Sequence, residues 1–320
     1  MTNWTAADIP RQDGRRTIVT GTGGIGLETA LALARAGADV ILVGRSLTKG
    51  HASIKKVRSL VPGAKIRFEH VDLAHLASIA AFGVRMHDSH ESLDLLINNA
   101  GVMTPPARQE TSDGFELQLG TNHLGHFALT AHLLPLLRRG RHPRVVSLGS
   151  VAARSGRIDF DDLNATQGYR PMPVYSQSKL ACLMFAFELQ RRSLVRGWGI
   201  TSVAAHPGIS RTDLLLNSAG KWDISRVLRT TLPFLFQPAE QGALPILFAA
   251  TSFDAEPGGY YGPDKLGETR GRPARSRIPA LAADKAVAAR LWEVSEKLTG
   301  VSFMKAMLPA RDASGGGSGS

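Results

Sequence analysis

The sequence predicts an α/β protein: a single doubly wound domain around a central parallel sheet of about seven strands. Three observations predict it. Short β-rich runs alternate strictly with helical patterns from the start of the chain, which implies parallel strands. The strands are continuous runs of β-branched and aliphatic residues, as expected when both faces lie under helices. A glycine-rich turn follows the first strand and opens the first helix.

Taken in order, residues 17–20 form strand one, and an Ala/Leu-rich helix over 27–36 ends at Gly37. Strand two covers 39–43, and Ser46 is placed to cap the helix that reaches Leu60. Strand three is 65–70, followed by a helix over 76–87 and strand four at 93–98. Residues 115–137 are mostly helical, and strand five is 144–148. A long helix carrying Tyr175 comes next, then strand six at 200–205, a helix over 238–250 and a short strand at 259–261. No repeat and no interdomain linker is visible, so residues 1–312 read as one domain. A loop over 154–173 precedes the Tyr175 helix, and 209–237 is an apolar insertion of the kind that forms lids or binding loops. Residues 263–312 read as a C-terminal extension, and 313–320 as an added Gly/Ser linker.

Composition narrows the function classes. Hydrophobic content of 43% and charged content of 20% suit a globular chain rather than a disordered one. Cys182 is the one cysteine, so no internal disulfide forms; its apolar helix makes it a small buried hydrophobe. No apolar run is long enough to span a bilayer, and the N-terminus lacks the pattern of a signal peptide, so a cytoplasmic protein is expected. The formal charge is +11, with basic clusters at Arg138, Arg139, Arg141 and Arg144 and at Arg270, Arg272, Arg275 and Arg277. Neither cluster has interleaved aromatics or a nucleic-acid motif. Both read as solvated basic faces, and no nucleic-acid partner is expected.

The first strand leads into Thr20-Gly21-Thr22-Gly23-Gly24-Ile25-Gly26-Leu27. Glycines there let the backbone approach a pyrophosphate at a helix N-terminus. Dinucleotide sites that take the ribose hydroxyls place an acid after the second strand. Here the turn reads Gly44-Arg45-Ser46, and Arg45 suits a 2′-phosphate, so NADP(H) is favoured over NAD(H). Tyr175 and Lys179 are four residues apart and share a helix face beside an apolar wall. A cation beside a phenol favours the phenolate, which suits acid/base work. His123 and His126 lie three apart, but no third ligand is evident, and no metal site is expected.

The order of these motifs resembles the short-chain dehydrogenases/reductases. The likeness runs through Gly21–Gly26, Val71-Asp72-Leu73, Asn98-Asn99-Ala100-Gly101, Asn122, Ser150, Tyr175 with Lys179, and Pro207-Gly208. Thr121-Asn122-His123-Leu124-Gly125-His126-Phe127 and Tyr175-Ser176-Gln177-Ser178-Lys179-Leu180 resemble the retinol-dehydrogenase-like members and their bacterial relatives. The resemblance implies a Rossmann domain that moves hydride between NADP(H) and a carbonyl/alcohol pair. It implies that Tyr175 is the acid/base and that Lys179 lowers its pKa and holds the nicotinamide ribose. It also implies that Ser150, rather than Ser147, bonds the substrate oxygen, and that Asn122 anchors a proton relay behind Lys179. Gly21, Thr22, Gly23, Gly24, Ile25 and Gly26 would cradle the phosphates. Asn98, Asn99, Ala100 and Gly101 would line the adenosine side. Asp72, beside Leu73, would accept from the adenine amino group, and Pro207, Gly208 and Thr212 would close over the nicotinamide. Asp72 is equally placed to cap the following helix, and Asn122 to cap or kink its own. The glycine turn is one residue shorter than the family pattern, which implies looser cofactor binding or an altered preference.

Leu214, Leu215, Leu216, Trp222, Leu232, Phe234, Leu235 and Phe236 make an unusually apolar segment, which reads as a lid packed on its own core, a cover over the site or, less readily, a membrane-surface patch. The resemblance implies that it covers the substrate, a bulky hydrophobic ketone, aldehyde or alcohol. No membrane anchor is visible, so a retinoid is not implied. The Tyr175 helix is apolar nearly all round and must be buried, either within the chain or against a second copy; monomer and homodimer both stay open. A catalytically silent dinucleotide-binding regulator is the alternative reading, and the presence of both Tyr175 and Lys179 weighs against it.

Overall fold

The computed structural model describes residues 3–209 and 237–304. All of its named strands join one sheet in the order β3-β2-β1-β4-β5-β6-β7-β8. The strands are β1 (Arg16–Thr20), β2 (Asp39–Gly44), β3 (Ile66–His70), β4 (Leu95–Asn98), β5 (Arg144–Leu148), β6 (Thr201–Ala205), β7 (Tyr260–Lys265) and β8 (Arg270–Arg275). Every neighbouring pair from β3 through to β7 is parallel, while β8 returns antiparallel to β7.

The helices are α1 (Gly24–Arg35), α2 (Leu47–Leu60), α3 (Leu76–Ser89), α4 (Leu117–Leu119), α5 (Gly125–Leu137), α6 (Pro171–Arg196), α7 (Ala239–Thr251) and α8 (Lys285–Thr299). A π-helical turn over Gly120–Leu124 joins α4 to α5. The helices sandwich the sheet. One core packs β1, β2 and β5 against α1 and α7, and a second packs the opposite face against α3, α5 and α6.

The local signals act as their chemistry requires. Ser46 accepts from the Lys49 N–H and starts α2. Gly197 ends α6 in the left-handed region at φ 63°. Pro171 and Pro173 occupy the first turn of α6, where no intrahelical donor is needed, so the helix begins before the expected end of the loop.

Two elements differ from the sequence expectation. The basic run after residue 263 holds an eighth strand, not a loose extension. Its charges and Pro273, registered opposite Pro263, disguise it, because edge strands tolerate both. Arg144, read as part of a solvated basic face, is half-buried; its guanidinium donates to Ala249 O at 2.8 Å and Ser252 O at 3.1 Å, closing the end of α7.

The apolar helix α6 is covered within the chain. Trp292 of α8 stacks on Phe185 at 5.7 Å, Phe303 lies 6.4 Å from the same ring, and Arg192 lies over Trp292 at 4.6 Å. Residues 156–170 fold back onto the start of α6. Asp159 N donates to Gln177 Oε1 at 2.8 Å, and Tyr169 Oη donates to Pro105 O at 2.9 Å.

Candidate active site

The cleft opens at the C-terminal edge of β1, β4, β5 and β6, where the strand order reverses around β1. That edge is where open α/β sheets bind ligands. Its volume is about 540 Å³, and it runs from Arg45 at one end to Ser150, Tyr175 and Pro207 at the other.

The glycine turn builds the first end. Gly21 has φ +97° and its N–H donates to Val43 O at 2.8 Å, tying the turn to β2. A Cβ on Gly26 would lie 2.3 Å from Gly21 O and 2.5 Å from Asn99 Nδ2, so only glycine fits. The short turn is braced from outside. Thr22 O accepts from Ser53 Oγ of α2 at 2.6 Å, and the Thr22 methyl lies against Gly44. No side chain caps α1, and no acid lies in its first turn. Its free N–H groups and bare backbone therefore fit a pyrophosphate.

Gly21, Thr22, Gly23, Gly24, Ile25, Gly26, Arg45, Asp72, Leu73, Asn99, Ala100 and Gly101 all line the cleft, as expected from sequence. Asn98 does not. It is buried beneath the sheet edge and donates to Thr130 Oγ1 at 3.1 Å. Asp72 is not the helix cap. Its Oδ1 accepts from Ala74 N at 2.9 Å in a turn, and His75 holds the cap position of α3.

The chemical end rests on α6. Tyr175 and Lys179 are both buried and both line the cleft with Ser150. Lys179 Nζ donates to Leu148 O at 3.1 Å and stands 6.0 Å from the centre of the Tyr175 ring. Ser150 starts the 3-10 turn Val151–Ser155 and accepts from Ala152 N at 3.2 Å. Ser147 is buried inside β5 and does not line the cleft. Asn122 lies in the π-helical turn. Its side chain accepts from Val102 N at 2.8 Å and donates to Val102 O and Ser178 Oγ at 3.0 and 2.9 Å. It thereby pins the loop after β4 to α6. Its carbonyl accepts from His126 Nδ1 at 2.9 Å and from Cys182 Sγ at 3.1 Å. Pro207 and Gly208 line the cleft, while Thr212 and the apolar residues 214–236 lie outside the described residues.

Sequence reasoning missed three contributions. Lys49, in the first turn of α2, lines the cleft together with Arg45, which lies just before the Ser46 cap. Met103, Thr121 and Met172 also line it; each is unremarkable in its own segment. His126, noted only as a possible ligand, links the two ends. Its Nε2 lies 2.9 Å from Thr20 Oγ1, which also accepts from Asn99 N and Ala100 N at 2.8 Å each. A carbonyl only accepts, so Nδ1 carries the proton to Asn122 O and Nε2 takes the Thr20 hydroxyl. Burial, with the Lys179 charge nearby, pushes the His126 pKa down to about 4 against the pull of the Asn122 bond, so the ring is neutral. His123 points elsewhere, to Ser295 Oγ at 2.8 Å.

A family model described as short chain dehydrogenase matches residues 15–221. This chain belongs to the short-chain dehydrogenases. The chain is 40% identical to human retinol dehydrogenase 13 over 92% of its own length and 86% of the relative's. It is also 40% identical to mouse polyprenol dehydrogenase, over 91% and 86% of the two chains. Among solved structures it resembles an uncharacterized protein from Mycobacterium paratuberculosis, with 38% identity, a TM-score of 0.78 and coverage of 94% and 99%. A Shigella flexneri short-chain dehydrogenase complexed with NADP shares the fold at 22% identity and TM-score 0.60, over 78% and 96% of the chains. The chain is thus a short-chain oxidoreductase of the retinol-dehydrogenase-like kind. No helix among the described residues is long and apolar enough to cross a membrane.

Proposed function

We propose that this short-chain dehydrogenase interconverts a hydrophobic ketone or aldehyde and its alcohol with NADP(H), using Tyr175 as acid/base. The observation that carries the reading is the meeting of Tyr175, Lys179 and Ser150 in the cleft that the glycine turn opens. A bound NADPH supplies the hydride. The chain supplies the rest. Ser150 donates to the substrate oxygen, and Tyr175 gives that oxygen its proton, or takes it back from the alcohol. Lys179, buried beside Tyr175, sets its side-chain nitrogen next to the place where negative charge develops and holds the nicotinamide ribose. Asn122 fixes the loop after β4 against α6, which keeps Lys179 in place for a proton relay.

Arg45 and Lys49 support the cofactor preference. Both are exposed at the cleft edge, and the neighbouring cleft-lining acid is Asp72, after β3 rather than β2. Two cations at that turn favour a 2′-phosphate over bare hydroxyls. The apolar lining by Val102, Met103, Val151 and Met172 supports a hydrophobic substrate. The names of two relatives, retinol and polyprenol dehydrogenase, point to alcohols with long apolar chains.

The test is NADPH oxidation against a panel of bulky and small ketones and aldehydes, with Tyr175→Phe in parallel. Turnover that is lost in the variant, while NADPH still binds, is the expected result. Equal turnover by the variant would overturn the assignment of Tyr175, and inertness of both would favour a silent dinucleotide-binding regulator.

A further inference from the structure

The turn between β7 and β8 lies beyond the stretch matched by the family model, yet it is joined to the cleft on two sides. Glu268 sits in this turn with φ +69°, and Leu266 with φ +49°, a backbone state that a non-glycine residue adopts only when its surroundings hold it. Glu268 Oε2 accepts from Arg154 Nη2 at 2.7 Å and lies 3.1 Å from His206 Nε2. Its other oxygen accepts from Arg277 N at 3.1 Å.

Each arm reaches the cleft. His206 follows β6 directly and its side chain has no exposed surface. Its Nδ1 accepts from Gly208 N at 3.2 Å, so Nε2 carries the proton and donates to Glu268, with Ser276 Oγ 3.0 Å away. A Cβ on Gly262 would lie 2.0 Å from His206 Nε2; the bare strand makes room for the ring. Arg154 belongs to the 3-10 turn that Ser150 starts, and its Nη1 also donates to Gly267 O at 3.1 Å. The same β-turn receives Ile209 N at Thr269 O, at 2.8 Å. Gly208, with φ +65°, touches that carbonyl so closely that a Cβ would lie 2.3 Å from it.

We propose that Glu268 is a positioning residue that holds the Ser150 turn and the Pro207–Gly208 segment to one anchor. These two segments follow different strands, β5 and β6, and both line the cleft. One carries the hydroxyl assigned to the substrate oxygen and the other closes the nicotinamide end. Glu268 itself does not line the cleft. Hydride transfer needs donor and acceptor carbons held in register, and small misplacements carry large rate costs. The inference rests on the oxidoreductase reading above.

The experiment compares Glu268→Ala, Glu268→Gln, Arg154→Ala and the Glu268→Ala/Arg154→Ala double variant. It measures kcat, NADPH affinity and amide exchange in segments 149–156 and 204–209 with NADPH present. Glu268→Ala lowers kcat by about 10- to 100-fold, because the geometry loosens. NADPH affinity stays within about threefold, because the glycine turn at the far end is intact. Glu268→Gln keeps an oxygen for His206 and Arg154 and restores most of the rate. The double variant is no slower than Glu268→Ala alone, as expected for residues acting as one unit. Arg154→Ala speeds exchange at 204–209, on the strand next to the one its own turn follows. Unchanged kcat in a folded Glu268→Ala protein, or unchanged exchange at 204–209 in Arg154→Ala, overturns the proposal. If wild type turns over no substrate, the function reading fails, and the exchange arm still decides the anchor. If Glu268→Ala does not fold, Arg154→Ala and Glu268→Gln carry the same test.

Discussion

The two ends of the cleft are built by different means. The glycine-turn end is backbone. Gly21, Gly26 and Gly44 leave space that a single methyl would fill, and the start of α1 has no side-chain cap over its main-chain N–H groups. The chemical end is side chain. Tyr175, Lys179, Ser150 and Asn122 come from three separate elements, and Lys179 and Asn122 are held by contacts to β5 and to the loop after β4. A site made of backbone is written into a short contiguous motif. A site made of side chains depends on everything that packs against it.

That contrast can be broken in order of effect. Tyr175→Phe removes a proton donor and nothing of the cradle. It should cost about 10²- to 10⁴-fold in kcat with NADPH affinity unchanged, as read by steady-state rates and cofactor fluorescence. Gly26→Ala should do the reverse. Its Cβ meets backbone at Gly21, which cannot move cheaply, so NADPH affinity should fall by roughly 100-fold or the fold weaken by about 1–3 kcal/mol. If that variant binds NADPH like wild type, the cradle is less tight than described.

His126 sharpens the comparison because it spans both ends. Its folded pKa of about 4 is below the ordinary histidine value, so the unfolded chain takes up a proton first as pH falls. Its contribution to stability is therefore whole above about pH 6.5 and is lost between there and about pH 4, at up to ~1.4 kcal/mol per pH unit. His123, pushed to about 3 by burial and by His126, adds to the same slope. Denaturant titrations should show His126→Gln with a shallower decline over that window; an unchanged slope would mean that the ring titrates normally in the fold.

The smallest effect is at the exposed rim. Arg45→Ala, or Lys49→Ala, should weaken NADPH about 3- to 10-fold, with solvent and salt screening the loss, and leave NADH alone. The ratio of the two affinities reads it directly. A loss shared equally by NADH would place both cations away from the 2′-phosphate.

Much of this was legible in the linear chain. Alternation with helices located β1 to β6; the central strands are largely apolar runs buried on both faces, while the edge strand β3 carries Arg67 and Glu69. The glycine spacing located the turn at one end of the cleft, and the Tyr175–Lys179 spacing a buried pair at the other. Arg144 and β8 were misread for one reason: charge was taken to mean solvent. Arg144 instead closes α7, and β8 carries its charges along an edge. Asn98 was grouped with Asn99 because adjacent residues share a motif, yet alternation along a strand end sends them to opposite sides.

By itself, then, the sequence determined the doubly wound sheet, the bare-backbone glycine turn and the pairing of a phenol with an ammonium on α6. All three follow from local period and spacing. Only the tertiary structure decided what covers α6, which is Trp292 and Phe303 from the same chain, and what joins the two ends, which is His126 between Thr20 and Asn122. It alone brought Glu268 to His206 and Arg154. These partners lie 62 and 114 residues apart in sequence from Glu268. No local pattern encodes such meetings, because they are set by how the sheet closes its order and where the last hairpin folds back.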